Sequence, residues 1–348
     1  MTVAVVLLVY AACAGTFGAR MLGRARWPAR APLLAIITYL AATWSVVAAL
    51  GLAGLTLAVH TTALGGELSH LIGACVLRLR DAYATPGGAT AAGLGLTLAA
   101  AVLARTALTA VAHLRAVRRQ AVQHAQTARL VGRPDAALGA VLVDHEQPAA
   151  YCVAGPHPTV ILTTAALQTL DPDQVAAVLA HERAHLASHH HRLLAIARIA
   201  RQVLPCLPLM RDADTQITRL VEMHADDAAT ATRGTGPLAA ALVILAAAAG
   251  PAPGLAAATT DAVQRIGRLL RPAEPLSRVR RQLLRAGAAA LILTPVLLAL
   301  TPAIVALALG RVPARDRRPR RGRPGPWPVA GCRGLLSPYR RRASRPAA

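Results

Sequence analysis

Lysine is missing from the 348 residues of this chain, phenylalanine occurs once, and aromatic residues amount to 3%. The first absence removes every mechanism that needs a lysine amine, the Ser-x-x-Lys acylation motif included. The second removes aromatic interleaving, so a net charge of +22 whose basic part is all arginine does not read as a nucleic-acid surface. No nucleic-acid partner is expected. Charged residues are only 16% of the chain against 55% hydrophobic, which is too little polarity for an ordinary soluble domain and points to the membrane class. Five cysteines, Cys13, Cys75, Cys152, Cys206 and Cys332, fall without a paired spacing, so neither a disulfide framework nor a thiolate metal site is implied. Cys152 and Cys206 read as small buried residues.

What the chain has in quantity is apolar sequence of spanning length. Residues 2–19, 33–59, 89–112 and 286–309 are four runs long enough to cross a bilayer as helices. Arg20, Arg24, Arg26 and Arg30 follow the first run, the reverse of a secretory signal, and Arg115, Arg118 and Arg119 follow the third. Because basic residues favour the cytoplasmic side, the N-terminus is expected outside and the segment between the third and fourth runs in the cytoplasm. Arg105, inside the third run, should either snorkel to its end or face a neighbouring helix. The division that follows is a membrane region over 1–112, a cytoplasmic domain over 113–285, a fourth span over 286–309 and an Arg/Pro-rich tail, read as disordered, over 310–348. Residues 60–86 become an external loop with an apolar patch at 68–77, and 265–271 with 278–285 a basic approach to the last span.

Inside the cytoplasmic segment the pattern shortens. Residues 140–143, 150–154 and 159–163 read as strands of a small antiparallel sheet, whose edge could bind an extended peptide by strand addition. Asp171-Pro172-Asp173-Gln174 then supplies a capping box with proline at the first helical position, and Leu170 and Val175 are spaced as a hydrophobic staple. The helix so begun carries His181-Glu182-Arg183-Ala184-His185. Two histidines four apart project from one helix face and can hold one zinc ion, with Glu182 beside it as a base. Twelve histidines and five glutamates give under about a 1% chance of meeting this pattern in a shuffled chain.

A catalytic zinc takes three protein ligands, so a third must come from elsewhere. A second helical pattern, starting near Asp212 or Asp214 and stopping at Gly234, carries Glu222 as the expected third ligand and Asp226 one turn later, spaced to bond a ligand imidazole. His224 points away from both on a helical wheel and reads as a satisfied polar residue. The rival ligand is His191, at the third-histidine position of the pattern His-Glu-x-x-His-x-x-Gly-x-x-His, with Ser188 where that pattern has glycine. Residues 192–197 read as continued helix, which would carry His191 out of reach of the pair. His189, His190 and His191 are then a polar cluster that could face the membrane, and His145 and His157 surface residues.

On Ala177-Val178-Leu179-Ala180-His181-Glu182-Arg183-Ala184-His185, together with Glu222 and Ala225-Asp226, the chain resembles the BlaR/MecR family of membrane metallopeptidases, and more widely the HtpX-like and prenyl-protein-processing proteases. The resemblance implies that His181, His185 and Glu222 bind Zn2+, that Glu182 is the catalytic acid/base, and that a mainly α, zincin-like core carries the small sheet. It also implies a zinc endopeptidase acting on a protein or peptide, such as a cytoplasmic transcriptional repressor, at the membrane. The chain is expected to depart from that family in lacking a penicillin-binding sensor after the last span. General membrane-quality proteolysis and a non-catalytic zinc-binding signalling protein are the alternatives, and the sequence leaves the oligomeric state open.

Overall fold

A computed structural model describes residues 2–58, 88–155, 157–248, 256–271 and 274–310. The expected external loop and the tail from 311 onward lie outside the described residues. The chain begins with α1 (Thr2–Gly23), a short turn at Pro28–Arg30 and α2 (Pro32–Ala58), followed by α3 (Gly88–Val131). Helix α3 does not stop where the apolar run ends. Its 44 residues rise about 66 Å, twice a hydrocarbon core, so the half beyond residue 112 extends past any bilayer the first half could cross. Alanine, arginine and glutamine after residue 112 are good helix formers, and no proline or glycine intervenes before Gly132.

Four strands come next, β1 (Arg133–Asp135), β2 (Ala140–Val143), β3 (Ala150–Val153) and β4 (Thr159–Thr163), in the spatial order β1-β2-β4-β3. The sheet is mixed, not antiparallel as expected. Strand β4 is buried along Val160, Ile161 and Leu162 and so takes a central place. A short turn returns β3 antiparallel to its outer side, which leaves β2 to meet β4 in parallel. Strand β3 is therefore an edge. Strand β1, unforeseen because Pro134 demotes a strand reading, occupies the other edge, where a missing N–H does little harm.

The remaining elements are helices: α4 (Thr164–Thr169), α5 (Pro172–Ala187), α6 (His190–Val203), α7 (Pro208–Arg233), α8 (Thr235–Ala248), α9 (Ala256–Leu270) and α10 (Arg278–Gly310). The Asp171–Gln174 capping box starts α5, with reciprocal bonds of 2.8 and 3.1 Å. Helix α7 starts at Pro208, several residues before the expected Asp212 or Asp214. Its N-cap, Leu207, makes no side-chain bond and so leaves no capping signal, while Leu209, Met210 and Ala213 are already buried. Gly234, at φ 78°, ends it.

Helices α1, α2, the Gly88–Gln123 part of α3 and the Arg278–Pro302 part of α10 are each long and apolar enough to cross a membrane. Helix α2 is the hub, packed against the other three and against α7. It meets α3 at Gly54 and Gly95, where a Cβ on either residue would lie 2.6 Å from the other's carbonyl oxygen; only glycine allows this approach. One core joins these helices to the ones after the sheet, since Leu7, Ala42 and Val46 pack with Ile199, Val203, Leu209 and Met210. Arg105 faces a neighbour. Its guanidinium donates to the carbonyls of Val203 (2.7 Å) and Gln202 (2.8 Å), groups that the end of α6 leaves without helical partners. Cys206, expected to be buried, is exposed.

Candidate metal centre

Helices α5 and α7 pack against each other, with Ala177 on one and Ala229 on the other in one buried cluster. His181 and His185 project from α5 one turn apart, and Glu222 and Asp226 from α7 likewise. The structure brings the first three together. His181 Nε2 lies 3.1 Å from His185 Nε2 and 3.5 Å from Glu222 Oε2, while His185 Nε2 is 3.6 Å from Glu222 Oε1. Donors about 2.0–2.1 Å from a tetrahedral zinc would sit about 3.3 Å apart, so the spacing suits one shared ion. Two imidazoles and a carboxylate are a donor set that zinc accepts, and they leave room for a fourth ligand.

Behind these atoms lies a second row. Asp226, fully buried, places Oδ1 3.0 Å from His181 Nδ1, while Nε2 of that ring faces Glu222 and His185; a carboxylate only accepts, so the contact suits a proton on Nδ1. Arg265 of α9 donates to both Asp226 oxygens at 2.6 and 2.8 Å and pairs with Glu222 Oε2 at 3.0 Å. The sequence pattern assigns Arg265 to a basic approach to the last span. It belongs to the site, and only its distance of 84 residues from His181 hid it.

His185 is held differently. Its Nδ1 lies 3.0 Å from Nδ1 of His190, whose Nε2 lies 2.8 Å from Nδ1 of His224. His190 is 1% exposed, so it is no part of a membrane-facing cluster. The continued helix expected over 192–197 does not run on from α5. The chain breaks at Ser188 and His189, the latter left-handed at φ 50°, and α6 restarts at His190. Only a histidine in an unusual backbone region makes the break, and no glycine announces it. His191 nonetheless stays outside the converging donors and stacks edge-on with His189. His224 is satisfied by His190, and His145 and His157 are exposed.

The electrostatics follow from burial and these partners. Burial raises Glu182 above the ordinary carboxylate range, against the opposing pull of His181. Burial, followed by the nearby Glu182 charge, pushes the thiol of Cys152 on β3 up to about 12. A cysteine read as filler thus lies near enough to the expected base for the two to influence each other's ionisation. Burial works to lower His181, but hydrogen bonds with Asp226 and Glu222 win and raise it to about 9. A cation arriving at Nε2 would displace that proton. Burial takes His185 down to about 4 and His190 to about 3, so both rings are neutral. Glu222 and Asp226 are lowered: burial opposes ionisation, yet His181 and Arg265 outweigh it. A cavity of about 500 Å³ opens beside the centre, lined by Tyr151, Cys152 and Val153 of edge strand β3 and by His185 and His190.

Two histidines one turn apart, a carboxylate from a second helix and a buried acid behind the first imidazole are the parts of a metallopeptidase centre. Residues 112–266, a little under half of the chain, match the family model described as Peptidase family M48, a stretch that runs from α3 to just past Arg265. The match supports a metallopeptidase of that family, membrane-associated through its apolar helices. No curated protein and no solved structure matches the chain.

Proposed function

We propose that the protein is a zinc endopeptidase that works at the cytoplasmic membrane face. His181, His185 and Glu222 would hold the ion, Asp226 would orient His181, and Glu182 would be the catalytic acid/base. The observation that carries this reading is the convergence of three donor atoms from two helices within 4.8 Å of one another. Zinc bound there supplies a Lewis acid that acidifies water and polarises a scissile carbonyl. Glu182, its affinity for protons raised by burial, accepts the proton of the attacking water and returns it to the leaving amine. Arg265 keeps Glu222 and Asp226 ionised and in place.

Strand β3 presents the free edge of its sheet along the cavity, which suits an extended peptide aligned by main-chain bonds. Cytoplasmic placement is supported by Arg268, which donates to the Ala29 carbonyl at 2.9 Å and so ties the helix bearing Arg265 to the arginine-rich turn between α1 and α2. The substrate in this reading is a regulatory protein such as a cytoplasmic repressor, as the BlaR/MecR resemblance implies. General clearance of membrane proteins is the second reading, favoured by the same edge strand, because backbone pairing discriminates little between sequences. Purified Glu182→Gln protein tests the mechanism: it should keep its zinc and lose proteolysis, and equal activity would remove the reading. Identification of the cleaved protein in cells separates regulator processing from clearance.

A further inference from the structure

His181 has a carboxylate behind it, as a ligand imidazole commonly does, whereas among the described residues His185 has another histidine in that place. We infer that His190, held in turn by His224, is the positioning residue that fixes the ring and the tautomer of His185 for metal binding. The inference rests on His185 being a ligand through Nε2, the atom that faces His181 and Glu222.

The hydrogen-bond arithmetic then has one solution. A neutral imidazole has one donor and one acceptor. With Nε2 of His185 given to the ion, its Nδ1–H donates to Nδ1 of His190 over 3.0 Å. His190 must therefore carry its proton on Nε2, which donates to Nδ1 of His224 over 2.8 Å. The proton of His224 is left on Nε2. His224 is half-buried and lines an open cavity of about 480 Å³. The three rings meet edge-on at two junctions, 86° between His185 and His190 and 68° between His190 and His224, and the row they form carries no net charge. The break at His189 is what makes it possible, because it turns the first residue of α6 back against α5.

Full-length protein in detergent, stripped of metal and titrated with Zn2+ against a competing chelator, provides the test. His190→Ala is expected to bind Zn2+ about 10–100-fold more weakly. His190→Gln, whose side-chain oxygen can accept from His185, should recover most of that loss. His224→Ala should give a smaller loss that disappears in the His190→Ala background. Unchanged Zn2+ affinity in His190→Ala overturns the inference. If that variant does not fold, imidazole 15N spectra of the unaltered Zn2+-loaded protein decide: a proton on Nε2 of His190 supports the chain, and one on Nδ1 overturns it. His185→Ala keeps the two readings apart. Should it leave Zn2+ binding intact, the ligand assignment itself fails; should it abolish binding while His190→Ala does not change it, only the positioning role falls.

Discussion

Arg265 and Asp226, 39 positions apart, are joined by two charge-assisted hydrogen bonds of 2.6 and 2.8 Å, with Asp226 fully buried. Removing the arginine would leave that carboxylate charged, dry and alone on its outer side. Arg265→Ala is expected to destabilise the metal-free protein by about 3–5 kcal/mol in chemical denaturation. Replacing both partners, as Arg265→Met with Asp226→Asn, should cost clearly less, and an equal cost would show that the pair matters for packing alone.

Asp226→Asn by itself addresses the metal. Without an anion behind His181 the imidazole is a weaker donor, and Zn2+ affinity should fall about 10–100-fold. Equilibrium competition with a chelator measures this, and wild-type affinity would count against the second row described above.

Treatment with a strong chelator should strip the protein of one Zn2+ per chain and of its proteolytic activity together, with both restored by added Zn2+. Metal analysis beside a peptide-cleavage assay follows the two quantities. Glu222→Ala should show the stripped behaviour without any chelator.

Gly54 and Gly95 set the distance between α2 and α3. Gly54→Val is expected to force the helices apart and to destabilise the detergent-solubilised protein by about 1–3 kcal/mol or more. A thermal melt checks it, with Gly93→Ala, which meets nothing within 4 Å, as the innocuous control.

Arg105→Met keeps the length of the side chain but not its donors, so the carbonyls of Gln202 and Val203 lose their partner. A cost of about 1–3 kcal/mol is expected, concentrated at the end of α6. Amide hydrogen exchange resolved along the chain would see it there first, and uniform loss of protection would argue for a global effect instead.

Much of the site was legible because its signals are local. His181 and His185 share a face through the helical period alone, the Asp171–Gln174 box fixes where that helix begins, and Glu222 and Asp226 repeat the same one-turn spacing. The strand segments at 140–143 and 159–163 were legible from their apolar runs, but their neighbours were not. Which strand is central depends on which is covered on both faces, and that is settled only when helices pack on the sheet. The reach of α3 past residue 112 was missed because an apolar run marks what a bilayer could hold and not where a helix ends.

By itself the sequence determined the periodic elements: four apolar helices, a capped helix with two histidines on one face, and a second helix with two acids on one face. Tertiary structure decided what stands around them. It brought Arg265 against Asp226, set Cys152 near Glu182, broke the chain at His189 and aligned His185, His190 and His224 in one row. The reason is physical: helix periodicity and capping act over a few residues and are written in adjacent positions. Partners for buried charges and ring nitrogens are instead chosen by packing, which joins residues far apart in the chain wherever an unpaired polar group would otherwise be left dry.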